Sequence, residues 1–316
     1  MGMGNSVDAL RRAIDSGFQR EAEYLGCGKR VNELVPVVSV CVSTYQHGPY
    51  IRECLDSILA QEVSGPIEII VGEDGSSDAT RDICVEYARR RPDVIRLFLR
   101  DRGTSQYPAG LGTQRHMNLH WVHMSARAPY IALCEGDDYW IDPDKIELQR
   151  QHLDAHPELV MHGHRALIVD VHGNRMREWP NPQREVLKAR DVISRGGGIC
   201  ATNSLMFRTS LLKNPPDWYY LFPVSDTALA TLAVVHGGIG FDNRILAAYR
   251  SDVPGSWTQS HAALSSQRLL WRRFSYCFAL CARGAPAYRA AFLWQAVRYG
   301  FKFVKASFRL AIARRS

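Results

Sequence analysis

Apolar and polar positions change period repeatedly between Val35 and Trp140. Residues 37–42 form a short, valine-rich apolar run, the pattern of a buried strand. Residues 50–59 then place apolar side chains at 51, 54, 55, 58 and 59, a helical stripe. Residues 67–71 read as the next strand. Asp78 can cap a helix running to about Arg91, with Ile83, Cys84 and Tyr87 on one face and Pro92 beyond its end. A strand over 94–99, a helix over 111–124 and a strand over 130–134 follow. Such alternation predicts an α/β fold with a parallel sheet between helices. Ligands of such sheets sit at the carboxyl ends of the strands.

After Trp140 the pattern loosens. A helix is predicted over 143–156, with Lys145, Gln149 and Gln151 among its polar residues, and a strand over 161–171 before a turn at His172-Gly173-Asn174. Further strands are expected over 200–207 and 240–249, around an apolar helix over 227–236. Ahead of all this, 6–30 reads as a polar, amphipathic helix. The boundaries that result are a helical extension over 1–35, one α/β domain over 36–257 and a basic helical region over 258–316.

Composition narrows the class. With 46% hydrophobic and 22% charged residues in 316, this is an ordinary folded chain. Its eight cysteines include no CxxC pair and read as buried free thiols, which points to a reducing, cytoplasmic setting. The opening residues lack the apolar core of a secretory signal, and no uncharged stretch is long enough to cross a bilayer. Met1-Gly2-Met3-Gly4-Asn5-Ser6 formally fits an N-myristoylation pattern, against the plainer reading of a polar start.

The net charge of +7 conceals an asymmetry. After Asp252 there is no Asp or Glu but eleven Lys and Arg, so the +7 less these eleven leaves −4 for residues 1–252. A basic tail on an acidic body argues for an anionic surface rather than nucleic acid. Within 287–315, basic residues at 298, 302, 305 and 309 run beside apolar ones at 297, 301, 304, 308 and 311. This fits a helix lying on an anionic membrane surface, or one packed on the domain with a solvated basic face.

The chemistry-bearing residues gather where strands end: Ser43-Thr44-Tyr45, Glu73-Asp74-Gly75-Ser76-Ser77-Asp78 and Glu135-Gly136-Asp137-Asp138. Three acids within four residues after a buried strand are costly unless a positive group waits there, and a divalent metal is the natural one. Asp137 and Asp138 leave the strand in different directions, so one suits a metal and the other a ribose hydroxyl or a water. The alternative is that the pair caps the helix after Pro143. Asp74 can accept from a nucleotide base, since Asp78 serves better as the cap. Asp226 is either a helix cap or a general base. The eleven histidines hold no HExxH pattern.

Taken together, the motifs from about Pro36 to Trp257 resemble those of the family 2 glycosyltransferases with the GT-A fold. The resemblance rests on Val38-Ser39-Val40-Cys41-Val42-Ser43-Thr44-Tyr45, on Ile69-Ile70-Val71-Gly72-Glu73-Asp74-Gly75-Ser76-Ser77-Asp78 and on Glu135-Gly136-Asp137-Asp138-Tyr139-Trp140. It also rests on Pro143-Asp144-Lys145-Ile146 and on Tyr249-Arg250-Ser251-Asp252 with Gly255-Ser256-Trp257. It implies a mostly parallel mixed sheet flanked by helices, with a nucleotide-binding half over 36–140 and an acceptor half over 141–257. Thr44, Tyr45, Asp74, Arg115, Asn118 and Asp137 would contact the nucleotide. Asp138 would bind Mn²⁺ or Mg²⁺, and Asp226 would be the base of an inverting transfer. The donor would be a nucleotide diphosphate sugar, UDP-sugar favoured. The acceptor would be a glycan or a lipid-linked glycan of lipopolysaccharide, capsule or O-antigen type, met at the inner face of a membrane.

Three departures stand out: Ser225 where many relatives have Glu, Asp252 where many have His, and Glu135 as the first acid of the metal motif. Asp252 can still serve as a metal or diphosphate ligand. Two other classes compete. A sugar nucleotidyltransferase would be expected to carry a basic phosphate loop after the first strand, where this chain has Ser43-Thr44-Tyr45-Gln46-His47-Gly48. A non-catalytic sugar-nucleotide-binding or membrane-scaffold protein would not need all of Asp74, Asp137, Asp138 and Asp226.

Overall fold

A computed structural model describes residues 3–25, 33–103, 117–195, 198–221, 225–254, 270, 274, 277 and 288–313. Helix α1 (Met3–Phe18) buries Leu10 and Ile14 against Met117 and Trp121. The helix is shorter than its sequence pattern suggests. The chain leaves it after Phe18, and a two-residue strand β1 (Glu23–Tyr24) joins the sheet edge, antiparallel to β4 (Ile95–Leu99). Charge draws it there: Glu21 pairs with the buried Arg100 at 2.5 Å, and Glu23 with Arg96 at 3.1 Å.

The first half of the sheet follows the expected alternation. Strand β2 (Val38–Thr44) lies parallel between β3 (Ile67–Glu73) and β5 (Tyr130–Leu133), and β3 lies parallel to β4. Val38 is in register with both Ile67 and Tyr130, and Thr44 with Glu73, so the carboxyl ends of β2 and β3 are level. Period-2 alternation sorts the core onto two faces. Val38, Val40 and Val42 pack with Ile51, Leu55 and Ile58 of α2 (Ile51–Leu59) and with Ile83 and Tyr87 of α3 (Thr80–Arg90). Cys41 joins the opposite core with Val122 of α4 (Asn118–Met124) and, farther along, Leu229 and Leu232 of α8 (Ser225–His236).

The second half makes the sheet mixed. From β5 the order continues through β10 (Met206–Arg208), β7 (Met161–Val169) and β11 (Ile239–Arg250) to β6 (Tyr139–Trp140). Strand β10 is antiparallel to both neighbours, β11 is parallel to β7, and β6 is antiparallel to β11. Two short strands, β8 (Arg175–Glu178) on β7 and β9 (Val186–Leu187) on β11, complete it. The strand expected over 200–207 is shorter, because a 3₁₀ turn at Thr202–Ser204 interrupts it. Asn203 accounts for the break: its Nδ2 donates to the Ala248 carbonyl at 2.7 Å, and its own carbonyl accepts from Trp140 Nε1 at 3.0 Å.

Helix α5 (Lys145–Ala155) also departs from a simple amphipathic reading, because Lys145 and Gln149 are fully enclosed. Lys145 Nζ donates to Gln149 Oε1 at 2.8 Å and lies 3.9 Å from the Trp140 ring centroid. Burial pulls the Lys145 pKa down to about 7. Helices α6 (Ala189–Arg195), α7 (Asp217–Leu221) and α9 (Arg289–Ala313) and a 3₁₀ turn at Thr209–Leu212 complete the described elements.

One close approach decides a residue choice. Behind β3, Gly72 faces Arg100, Asn118 and Val122, and a Cβ there would overlap all three. Asn118 Nδ2 donates to the Gly72 carbonyl at 3.0 Å, and its Oδ1 accepts from Arg100. Gly72→Ala should therefore cost about 3 kcal/mol and lower the midpoint in scanning calorimetry by several degrees. An unchanged midpoint would show that this packing gives way easily.

Candidate active site

The acidic loop is seated on the end of β2. Cys134 N donates to the Cys41 carbonyl and Gly136 N to the Ser43 carbonyl, each at 3.1 Å, so the chain follows β2 beyond the end of β5. At Gly136 a Cβ would come within 2.5 Å of Thr44 Oγ1 and 2.8 Å of His47 Nδ1, so only glycine lets the loop lie this close. From here the chain passes to β6, beyond β11, so residues 134–138 bridge the two halves of the sheet. Asp74 N donates to the Thr44 carbonyl at 3.1 Å and brings the β3 turn to the same rim.

Asp137 and Asp138 diverge, as their adjacency predicts. Asp137 Oδ2 lies 3.7 Å from His47 Nε2, and His47 Nδ1 is 3.2 Å from Thr44 Oγ1. Asp138 is 1% exposed, and its Oδ1 accepts from the backbone N–H of Arg250 at 2.7 Å. Its Oδ2 is buried with no hydrogen-bond partner, and the same holds for Glu135 Oε2. Burial first, then the neighbouring Asp137 and Glu135, push the Asp138 carboxyl well above the usual range. Burial and then Asp137 raise Glu135 to about 8, and the charge of Asp226 adds to this.

Such a carboxylate suits a hard divalent cation, which would supply the charge and the oxygen partner that the protein withholds. Among the described residues no three His, Cys, Asp or Glu side chains form a ready cage. A cation at Asp138 would therefore need more oxygens than two such side chains supply, and the oxygens of a bound diphosphate fit this need.

Arg250 organises this loop, and reading the sequence did not single it out. It is 3% exposed. Its Nε donates to the Asp137 carbonyl at 2.9 Å, its Nη2 pairs with Glu53, and its guanidinium lies 4.8 Å and 5.4 Å from the Tyr50 and Tyr139 ring centroids. The sequence shows it only as part of the Tyr249-Arg250-Ser251-Asp252 segment, because every one of these partners comes from a distant part of the chain. Arg102 escaped notice for the same reason, and so did the pairing of His47 with the remote Asp137.

Tyr45 and Asp74, the residues expected to meet a base, are together, but they hold a side chain of this protein. Asp74 is buried and pairs with Arg102 Nη1 at 2.5 Å, while the Arg102 guanidinium lies 3.5 Å from the Tyr45 ring centroid. A flat group stacked on Tyr45 and donating to Asp74 is what a nucleobase would be there. Glu73 is fully buried, accepting from Arg81 Nε at 2.5 Å and Ser76 N at 2.6 Å. Asp78 precedes Ala79, the N-cap of α3, and its Oδ1 accepts from Thr80 N at 3.0 Å and its Oδ2 from Gly48 N at 2.8 Å. Partial burial raises its pKa, but these bonds outweigh that effect and the net shift is downward.

The remaining expected residues are less uniform. Asn118 is buried with both amide atoms engaged behind β3, so in this structure it supports the strand rather than standing open at the rim. Arg115 lies outside the described residues. Asp252 is exposed at φ +61°, two residues beyond the amide that holds Asp138, and its Oδ2 accepts from Ser251 Oγ at 3.1 Å. Asp226 is the second residue of α8 and partly buried, and its Oδ1 accepts from Thr227 N at 2.5 Å. Its effect on Glu135 places it within electrostatic reach of the acidic loop. A cleft of about 220 Å³, lined by Asp56, Leu59, Tyr87, Arg90 and Arg91, lies at the C-terminal ends of α2 and α3, away from these acids.

The raised Asp138 carboxyl has a measurable consequence. A folded-state pKa above the unfolded one gives stability that is full below the unfolded pKa, about 3.9, and lost as pH rises through the folded pKa. Asp138→Asn keeps the oxygen that accepts from Arg250 N and removes the titration. In chelator-treated protein this variant should match or exceed the parent in thermal stability at neutral pH, and show a flatter rise on acidification. A parent already more stable than the variant at neutral pH would contradict the unpaired-carboxylate account.

Known proteins share both sequence and fold with this chain. The sequence profile described as "Glycosyl transferase family 2" matches residues 39–214. An uncharacterized protein of Mycobacterium tuberculosis is 33% identical over 242 residues, covering 74% of this chain and 63% of its own length. The chain thus spans less than two-thirds of the mycobacterial relatives it matches. The glycosyltransferase GlyA of Streptococcus pneumoniae is 34% identical over 35% of this chain and 14% of its own. Among solved structures, S. aureus TarS 1-349 in complex with UDP-GlcNAc aligns with a TM-score of 0.58 at 19% identity, over 84% of this chain and 73% of that one. The mannosyltransferase PcManGT from Pyrobaculum calidifontis, in complex with GDP-Man and Mn²⁺, aligns with a TM-score of 0.57 at 16% identity, over 99% of this chain and 84% of that one. At these identities the two structures speak to the fold, and the fold is GT-A. With a profile match over more than half its length, the chain belongs to glycosyl transferase family 2.

Proposed function

We propose that this protein is a metal-dependent, inverting glycosyltransferase that moves a sugar from a nucleotide diphosphate sugar to a hydroxyl of a glycan or lipid-linked acceptor. The observation that carries this reading is the buried Asp138 carboxylate with one unpartnered oxygen, bordered by Asp137 and Glu135 and within electrostatic reach of Asp226. Bound UDP-GlcNAc and GDP-Man in the two structural neighbours support a nucleotide-sugar donor. Mn²⁺ in one of them supports a divalent cation.

Each residue then has a physical task. Tyr45 offers its ring face, and Asp74 a carboxylate acceptor suited to the imide N–H of uracil, hence a UDP-sugar. The base displaces Arg102 from that stack or lies beside it. Thr44 and Asp137 flank the ribose, with His47 orienting Asp137. Asp138, with Asp252 as a second ligand, would hold Mn²⁺ or Mg²⁺, whose charge stabilises the departing diphosphate. Asp226 accepts the proton of the acceptor hydroxyl as that oxygen bonds to the anomeric carbon. The bond to the nucleotide diphosphate breaks on the opposite side, so a single displacement inverts the configuration. Synthesis of a lipopolysaccharide- or capsule-type glycan at the inner face of a membrane fits a buried-thiol protein of this family.

Asp226→Asn should retain nucleotide binding and lose transfer by about 10³-fold or more, read as nucleoside diphosphate release across a donor panel with Mn²⁺. Near-normal turnover would remove Asp226 as the base. Asp138→Ala should abolish the Mn²⁺-dependent part of UDP binding in calorimetry while metal-free binding is little changed. Equal metal dependence in parent and variant would move the cation elsewhere.

A further inference from the structure

Helix α9 turns one face into the protein and another outward. Phe292 belongs to the core shared with α6 and α8, and Ala296 and Tyr299 pack with Cys277, Leu270 and Phe274. Gln295 is fully buried on the same face. By contrast, Leu293, Trp294, Val297, Phe301 and Val304 are between 48% and 73% exposed. At 3.6 residues per turn these five fall within a sector roughly 100° wide. The exposed Lys305, Arg298 and Lys302 follow one another along one border of that sector, and Arg289 lies on the other. The Arg298 guanidinium sits 5.6 Å from the Trp294 ring centroid, with its charge at the border of the apolar stripe.

An apolar stripe this continuous, left in water, marks an interaction surface. Its charge selects the partner. Beyond Asp252 the sequence has eleven Lys and Arg and no Asp or Glu, so this region carries a strong excess of positive charge. Pairing the stripe with that of a second copy would set two basic borders along one seam, and like charges oppose this. An anionic bilayer satisfies both features at once, with acyl chains for the stripe and lipid phosphates for the border. Among the described residues no helix is long and apolar enough to cross a membrane, so α9 would lie on the surface.

We propose that the Leu293–Val304 face of α9 is a docking surface for an anionic lipid bilayer. The side chains enter the headgroup region, with Trp294 and Phe301 as anchors and Arg298, Lys302 and Lys305 on the phosphates. The surface is distinct from the acidic rim and stands whether or not the transfer reaction is as proposed. If both hold, docking delivers the site to a lipid-linked acceptor.

The test is flotation of the full chain with vesicles of phosphatidylcholine alone, or of phosphatidylcholine and phosphatidylglycerol in equal parts. Binding is expected to the mixed vesicles only and to weaken with salt. Trp294→Ser with Phe301→Ser should abolish it. The triple variant Arg298→Gln, Lys302→Gln, Lys305→Gln should weaken it about a hundredfold, at about fivefold per charge. Donor turnover in solution, with a water-soluble acceptor, should be unchanged in both variants and confirms that they are folded. Failure of the parent to float, or equal flotation on neutral vesicles, overturns the proposal. So does a parent dimer in light scattering that the serine variant dissolves while parent and variant float alike. Absence of turnover with every donor would instead count against the transferase reading and leave the flotation result standing.

Discussion

The arrangement of the acidic rim depends on the junction between Asp138 and Arg250. The Arg250 backbone N–H holds one Asp138 oxygen, and its guanidinium binds the Asp137 carbonyl, pairs with Glu53 and lies between Tyr50 and Tyr139. Three separate stretches of chain therefore meet at one buried cation: the α2 region, the acidic loop and the end of β11. Burying an arginine is tolerable because its donors are met by a carboxylate and carbonyls. The carboxylate beside it is treated differently. One Asp138 oxygen is anchored and the other has no partner, so the loop is positioned without being neutralised.

The sheet explains why this junction is possible. Because β10 is antiparallel to both β5 and β7, and β11 is parallel to β7, strands β5 and β11 run in the same direction and end on the same edge. Inserting β10 antiparallel, and sending the chain from β5 to β6 beyond β11, carries the acidic loop across the carboxyl edge. Close packing at glycine then sets its height. Gly136 lets the loop rest on Thr44 and His47, and Gly72 lets Asn118 and Arg100 support β3 from behind. Several polar groups that look like surface chemistry in the sequence, Lys145, Gln149, Asn118 and Asn203 among them, are spent on holding this frame.

Arg102 shows how such a frame pairs a buried acid at the rim. Its guanidinium lies on Tyr45 and pairs with Asp74, so the two groups suited to recognising a base already share one planar partner. That pairing keeps the buried Asp74 carboxylate compensated, which is cheaper than leaving it without a donor.

The sequence by itself determined the strand and helix types, the clustering of acids at strand ends, the divergence of Asp137 from Asp138 and the split between an acidic body and a basic tail. All of these follow from periodicity over a few residues or from charge counted along the chain. Tertiary structure alone decided which strand runs antiparallel inside the mixed sheet, that 200–207 is broken at Asn203, that Asn118 supports β3, that Arg102 covers Asp74, and which side of α9 faces outward. It also supplied Arg250, whose partners at Glu53, Asp137 and Asp138 are all remote in sequence. The reason is physical: local patterns report which face of an element is buried, whereas hydrogen-bond partners of buried charges depend on how distant segments cross, and no local pattern encodes that crossing.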